Sequence, residues 1–273
     1  MKKTITAILA ALLLLSLFVA CKADPGDNRP PLNDEITYLD AQWDEQEQKV
    51  KTTEKTISKY YVVKSDTTHW NNSWYVVTSD VTITDRIVVS GTSYLILCNG
   101  ATLNAKKGIS VVDGNSLYIY GQKVNWGKLT IDGCEEYFAG IGGGDLGQGG
   151  DVIINYGIVT ANGCLSDLPN STTVFGAGIG GGFCAEGGRV MLNGGTVIAT
   201  GGYVETTYSA TDRKYSAGIG GGFNFGNLIH EGIIKTGPYA VLLYKEKGSS
   251  IYKPYSDSSY STRYPYMQAL TQE

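Results

Sequence analysis

The chain is poor in the residues from which most active sites are made. It holds two histidines, His69 and His230, too far apart in sequence to suggest a shared metal. No Cys-x-x-Cys spacing supports zinc ligation. The folded part has no Asp-Asp or Asp-x-Asp pair, which excludes the close carboxylates that glycoside hydrolysis needs. Its glycine runs are followed by no Gly-Lys-Ser/Thr and open no helix, so they are not phosphate cradles. No nucleophilic triad is visible. Helical periodicity is missing from the glycine-rich repeats. Basic excess is missing as well: without Lys2 and Lys3, the balance is 20 − 26 = −6, which argues against nucleic acid and anionic lipid surfaces.

What the chain has instead is glycine in a repeated setting. Ala-Gly-Ile-Gly-Gly-Gly begins at Ala139, Ala177 and Ala217, at offsets of 38 and 40 residues. Between the first two copies the register extends from Gly149–Gly163 onto Gly187–Gly201, keeping the glycines, an asparagine and the apolar positions. Such self-similarity marks units stacked along one axis. Within each unit, β-branched runs such as Val152-Ile-Ile and Thr196-Val-Ile-Ala-Thr are bounded by Asn-Gly, Gly-Gly or Asp-Gly. These read as brief strands between turns that need positive φ. The same punctuation runs upstream through Ile87-Val-Val-Ser-Gly, Tyr94-Leu-Ile-Leu-Cys-Asn-Gly and Leu117-Tyr-Ile-Tyr-Gly.

The expected fold is all-β: a right-handed parallel β-helix, or solenoid, with 38–40 residues per repeat. Its circuits stack about 4.8 Å apart. At roughly 20 residues per circuit, each repeat would hold two circuits. A sandwich of antiparallel hairpins explains the turns equally well, but its strands occupy non-equivalent places and leave the repeat unexplained.

Residues 1–20 read as a lipoprotein signal peptide: Lys2-Lys3, then an apolar run short for a membrane span. Leu17-Phe18-Val19-Ala20-Cys21 resembles a bacterial lipobox, which implies acylation of Cys21 and a membrane anchor. Lys22 after the cysteine resembles the Gram-negative signal for export away from the inner membrane, so the outer membrane or cell surface is the expected address. Residues 21–59 read as a tether, charged from Asp40 to Lys59 and containing a short helix. The β-helix is expected over 60–237, with 238–273 as a C-terminal cap and loose tail. In the third copy His230 and Glu231 stand where earlier copies carry Asn and Gly, as the end of a solenoid requires. Cys98, Cys134, Cys164 and Cys184 sit at no equivalent repeat positions and are expected as free, small core residues.

From Trp74-Tyr-Val-Val-Thr through Tyr94-Leu-Ile-Leu-Cys-Asn-Gly-Ala-Thr-Leu to the Ala-Gly-Ile-Gly-Gly-Gly copies, residues 70–237 resemble a group of bacterial cell-surface proteins. These occur in gut and oral anaerobes and are described as carbohydrate-binding-domain or adhesin-like. The resemblance implies a β-helical surface module and carries over no binding residue.

Parallel β-helices include polysaccharide lyases and hydrolases, but Asp113, Asp132, Asp145 and Asp151 are scattered, and the second repeat replaces the last two with Phe183 and Arg189. Catalysis is therefore not expected, nor any cofactor or metal. Gly142-Gly-Gly-Asp145 resembles calcium-binding nonapeptide rolls only faintly, because the spacing is wrong and the aspartates do not recur.

Recognition has some support. An aromatic lies two residues before each repeat alanine, at Tyr137, Phe175 and Tyr215, and Phe183 and Phe223 follow two of the glycine triplets. Stacked units would bring them into ladders, serving either sugar contact or packing. Longer connections at 164–176 and 202–216, the latter with Tyr203 and Tyr208, would emerge on one side. The expected partner is a polysaccharide or host surface glycan.

Overall fold

The computed structural model describes residues 30–44, 46–47, 49–132, 135, 137–163, 165–166, 176–204, 214–222, 233–236, 240–245, 253–254 and 266–271. It is all-β, with no helix among the described residues. The chain cycles through three sheets in a fixed order. A narrow sheet holds His69–Asn71, Ile87–Ser90, Ile109–Ser110, Ile141–Gly142, Ile179–Gly180 and Ile219–Gly220. A wide sheet follows with Tyr61–Val62, Trp74–Val77, Thr92–Leu97, Ser116–Gly121, Asp151–Ile154, Arg189–Leu192 and Ile233–Thr236. The third is rich in threonine: Val81–Ile83, Thr102–Ala105, Lys128–Ile131, Ile158–Asn162 and Thr196–Thr200. All of these pair in parallel with their counterparts one circuit away.

Alternation along each strand sends one set of side chains inward. Ile87, Ile109, Ile141, Ile179 and Ile219 stand in register and are all fully buried. Leu103, Leu129, Val159 and Val197 form a second such column. The first column also measures the circuits. They take 22 residues (109 − 87), then 32 (141 − 109), 38 (179 − 141) and 40 (219 − 179). A repeat of 38–40 residues is therefore one circuit, where two were expected. The estimate of 20 residues holds only for the early circuits; later ones add their extra length between strands.

The Ala-Gly-Ile-Gly-Gly-Gly copies explain themselves in this register. Gly142, Gly180 and Gly220 have φ of 136°, 134° and 139°, which side chains rarely adopt. A Cβ at Gly142 would also run into the carbonyl oxygen of Gly180, and one at Gly180 into that of Gly220. Each copy closes on itself: the amides of Ala139, Ala177 and Ala217 donate to the carbonyls of Gly143, Gly181 and Gly221 at 3.0, 2.9 and 3.2 Å.

Two segments depart from the expected organisation. Within the stretch read as a tether with a short helix, β1 (Ile36–Asp44) and β2 (Lys49–Ile57) form an antiparallel hairpin paired along its whole length. Thr52, Thr53, Thr56 and Ile57 are β-branched and suit a strand, whatever the charge around them. Asp44 Oδ1 accepts from the amides of Gln46 and Glu47 at 2.9 and 3.1 Å, which shapes the turn. Strand β1 bridges Leu39 to Gly121 and buries Tyr38, Leu39 and Ala41 against the wide sheet. At the other end, Tyr266–Thr271 is a strand, not a loose tail. It pairs antiparallel with Thr196–Thr200 and with Ala240–Lys245, covering the last edge of the threonine-rich sheet.

Candidate functional site

Most of the added length of the later circuits falls at one corner, where the chain passes from the threonine-rich sheet to the narrow sheet, and the rest in the turns from the narrow to the wide sheet. The connections at that corner are 84–86, 106–108, 132–140, 163–178 and 201–218. The strands that flank the last three of them are in register from one circuit to the next. The last two pair with each other where Leu165–Ser166 runs parallel to Tyr203–Val204, and within the last one Tyr203–Val204 runs antiparallel to Lys214–Tyr215. Tyr203 and Tyr215, flagged separately in the sequence, are thus direct cross-strand partners. Tyr208, Phe175 and Phe223 lie outside the described residues, as does Cys21.

Arg86 fixes the foot of this corner. Its guanidinium donates to the carbonyls of Lys107 at 2.7 Å, Ala139 at 2.9 Å and Ile109 at 3.4 Å, so one side chain ties three circuits. The Phe138 ring lies 4.6 Å from its central carbon, a cation–π contact. Beside it Lys107 Nζ stands 3.4 Å from both Asp85 and Glu135, carboxylates of the circuits before and after. The hydrogen bond to Asp85, then that to Glu135, holds the Lys107 ammonium above its ordinary pKa. Lys106 pairs with Asp132 at 3.6 Å. Neither Arg86 nor Phe138 is repeated in sequence, and nothing short of the register could have singled them out.

Tyr137 and Phe183 do meet, but not as a ladder of like over like. Tyr137 precedes one repeat and Phe183 follows the glycine triplet of the next. Their rings are 6.0 Å apart at 64°. The Phe183 amide donates to the Tyr137 carbonyl at 2.7 Å, and its carbonyl accepts from the Leu146 amide at 3.1 Å. Phe183 is buried at 6% exposure, while Tyr137 and Leu146 are 37% and 69% exposed. Leu146 was missed by sequence reasoning; its only signal is its place after a glycine triplet, matched one repeat later by Cys184. Both have positive φ, 54° and 55°, and Tyr137 has φ 73°.

A true aromatic ladder exists elsewhere. Trp74, Tyr94 and Tyr118 stand in register on the outer face of the wide sheet. Their rings stack at 4.5 Å and 18°, then 5.3 Å and 32°. Trp74 and Tyr94 turn ring faces toward one another, while Tyr118 is tilted against Tyr94. Tyr38 of β1 packs on the ladder, 5.0 Å from Trp74 and 4.7 Å from Tyr120. Its role is to seat the hairpin.

The scattered aspartates are accounted for singly. Asp151 pairs with Arg189 and Asp132 with Lys106, while Asp113 and Asp145 are exposed. Among the described residues no three His, Cys, Asp or Glu side chains are grouped to hold a metal ion. Cys98 is a buried free thiol, Cys184 is half-buried in a surface turn, and Cys134 and Cys164 lie outside the described residues. Comparison with protein-family models, with curated proteins and with solved structures gives no match.

Proposed function

We propose that this chain is a non-catalytic surface lipoprotein of a bacterial envelope, built as a right-handed parallel β-helix with one repeat per circuit, that binds glycan in the manner of an adhesin. Right-handedness follows from the near-universal hand of crossovers between parallel strands of one sheet. Acylated Cys21 anchors the protein at the outer membrane or cell surface.

The observation that carries the binding reading is the graded corner. Connections lengthen most where the threonine-rich sheet meets the narrow one, and the longest two join where Leu165–Ser166 runs beside Tyr203–Val204, with Tyr215 opposite Tyr203 in the last of them. A solenoid gains nothing in stability from longer loops on one side. Tyr-bearing loops on a rigid scaffold are a common way to build a recognition surface.

The test is a glycan array probed with the mature chain, hairpin included. Saturable binding to one polysaccharide class, weakened by Ala at Tyr203, Tyr208 and Tyr215, supports the reading. A blank array turns it toward a structural surface protein. Unsaturated or reducing-end products from the array polymers would instead establish a lyase or hydrolase. The anchor has its own check: Cys21→Ala should leave the protein soluble or unprocessed, and continued membrane fractionation with a trimmed N-terminus would refute lipidation.

A further inference from the structure

We infer that Tyr137 and Leu146, braced by Phe183, form the subsite that touches the sugar, and that it takes neutral pyranose units and not uronates. This rests on the glycan-binding reading above and assigns it a place and a ligand class.

The backbone at Tyr137 and Leu146 is the starting point. Their φ values of 73° and 54° lie in the left-handed region, where a bulky side chain is disfavoured by about 1 kcal/mol or more relative to glycine. Glycine is used freely all around them, at Gly142, Gly143, Gly144 and Gly147. Yet these two positions carry large apolar side chains that point substantially into solvent. Core packing does not explain that cost. Strain kept at an exposed site is a mark of function.

The backbone beneath the two side chains is tied to one residue. One buried residue, Phe183, uses its amide on the Tyr137 carbonyl and its carbonyl on the Leu146 amide, and its ring braces Tyr137. An exposed ring and an exposed isobutyl group whose backbones are bonded to one buried residue need little backbone ordering when a ligand binds. A pyranose fits this pair: its C–H face packs on the ring while its hydroxyls reach the rim.

Charge decides which pyranose. The turns that carry the chain from the narrow to the wide sheet around this spot are 111–115, 143–150 and 181–188. They contain Asp113, Asp145 and Glu186 and no Lys or Arg. All three carboxylates are exposed. Carboxylates accept hydrogen bonds from sugar hydroxyls but repel uronates. The cations of the flanking segments are already engaged: Lys106 and Lys107 with Asp132, Asp85 and Glu135, Arg86 with backbone carbonyls and the Phe138 ring, and Arg189 with Asp151.

Glycine substitutions separate binding from folding, because glycine suits this backbone. The mature chain, Tyr137→Gly and Leu146→Gly are run through affinity gels containing β-glucan, galactomannan, xyloglucan or polygalacturonate, with thermal melts alongside. The expected result is retardation by at least one neutral polymer and none by polygalacturonate. Each glycine variant should weaken that retardation about tenfold or more with Tm unchanged or raised. Neutral-polymer binding untouched by either variant overturns the subsite while leaving the glycan reading intact. Equal retardation by polygalacturonate overturns the ligand class. A lowered Tm for Tyr137→Gly makes the ring a packing element and also overturns the proposal. Retardation by none of the four polymers, with a blank array, removes both readings together.

Discussion

Arg189 sits one repeat beyond Asp151, directly beside it on the wide sheet, and the two side chains form a two-point ion pair. Arg189 Nε donates to Asp151 Oδ1 at 3.1 Å, and Nη2 reaches Oδ2. The hydrogen bond to Asp151 raises the Arg189 pKa, so the guanidinium keeps its charge. In the sequence the change from Asp to Arg looks like the loss of a carboxylate. In the fold it replaces a like-charge clash between stacked positions with an attraction.

Both partners are substantially exposed, which limits the pair's worth. A double-mutant cycle of Asp151→Ala and Arg189→Ala should give a coupling of about 1 kcal/mol or less, reduced further at 1 M salt. Exchanging them, Asp151→Arg with Arg189→Asp, should retain most of the stability. Arg189→Asp alone should be the worst of the set, because it recreates the stacked carboxylates.

The glycine motif makes a sharper demand. Gly142 combines φ of 136° with a carbonyl where its Cβ would sit, whereas Gly114 has φ of 81° and open space around it. Gly114→Ala should cost about 1 kcal/mol, the price of a left-handed backbone alone. Gly142→Ala should cost several times as much and abolish folding or force the circuits apart. Urea midpoints for the two variants check this, and equal losses would mean that close stacking is not what selects the motif.

These contrasts also show what the sequence could reveal. The repeat and its in-register apolar positions were legible because stacking demands the same residue type at the same place in every circuit. The number of circuits per repeat was not, because it depends on how much chain leaves the strands between sheets, which at one corner changes from 106–108 to 201–218. The hairpin was hidden for a different reason. Its seat is a contact between Tyr38 and Trp74, and between Leu39 and Gly121, far along the chain, while its own composition reads as solvated. Tyr137 and Phe183 were each visible as candidates. Their meeting across unlike positions follows from the way the glycine turns fold back, which no periodicity encodes.

Tyr38 tests the hairpin directly. Its ring is buried between Trp74 and Tyr120, and removing it would uncover the apolar wide-sheet face that includes Val76 and Ile96. Tyr38→Ala should destabilise the protein by about 3 kcal/mol, with increased binding of a hydrophobic dye and a changed Trp74 emission. Tyr38→Phe should recover most of the loss. If Tyr38→Ala melts like the parent chain, the hairpin is an ornament and the tether reading regains its place.

Cys98 gives the protein a predictable alkaline limit. Burial pushes its thiol pKa up to about 11, while an unfolded thiol ionises near 8.5. Below that lower value both states hold the proton and the group has no effect on stability. As pH rises from about 9 towards 11, the unfolded chain releases the proton first, so unfolding is favoured progressively. Tyr120, also raised by burial, adds its own loss once an unfolded phenol would ionise near 10. The expected outcome is a stability that falls from pH 9 to 11, with a shallower fall for Cys98→Ala measured against its own value at pH 7. The same burial should leave Cys98 unreactive towards a disulfide reagent at pH 8 until denaturant is added. Rapid labelling of Cys98 in the folded protein would show that this stretch of the wall opens readily, and the alkaline slope would then need another source.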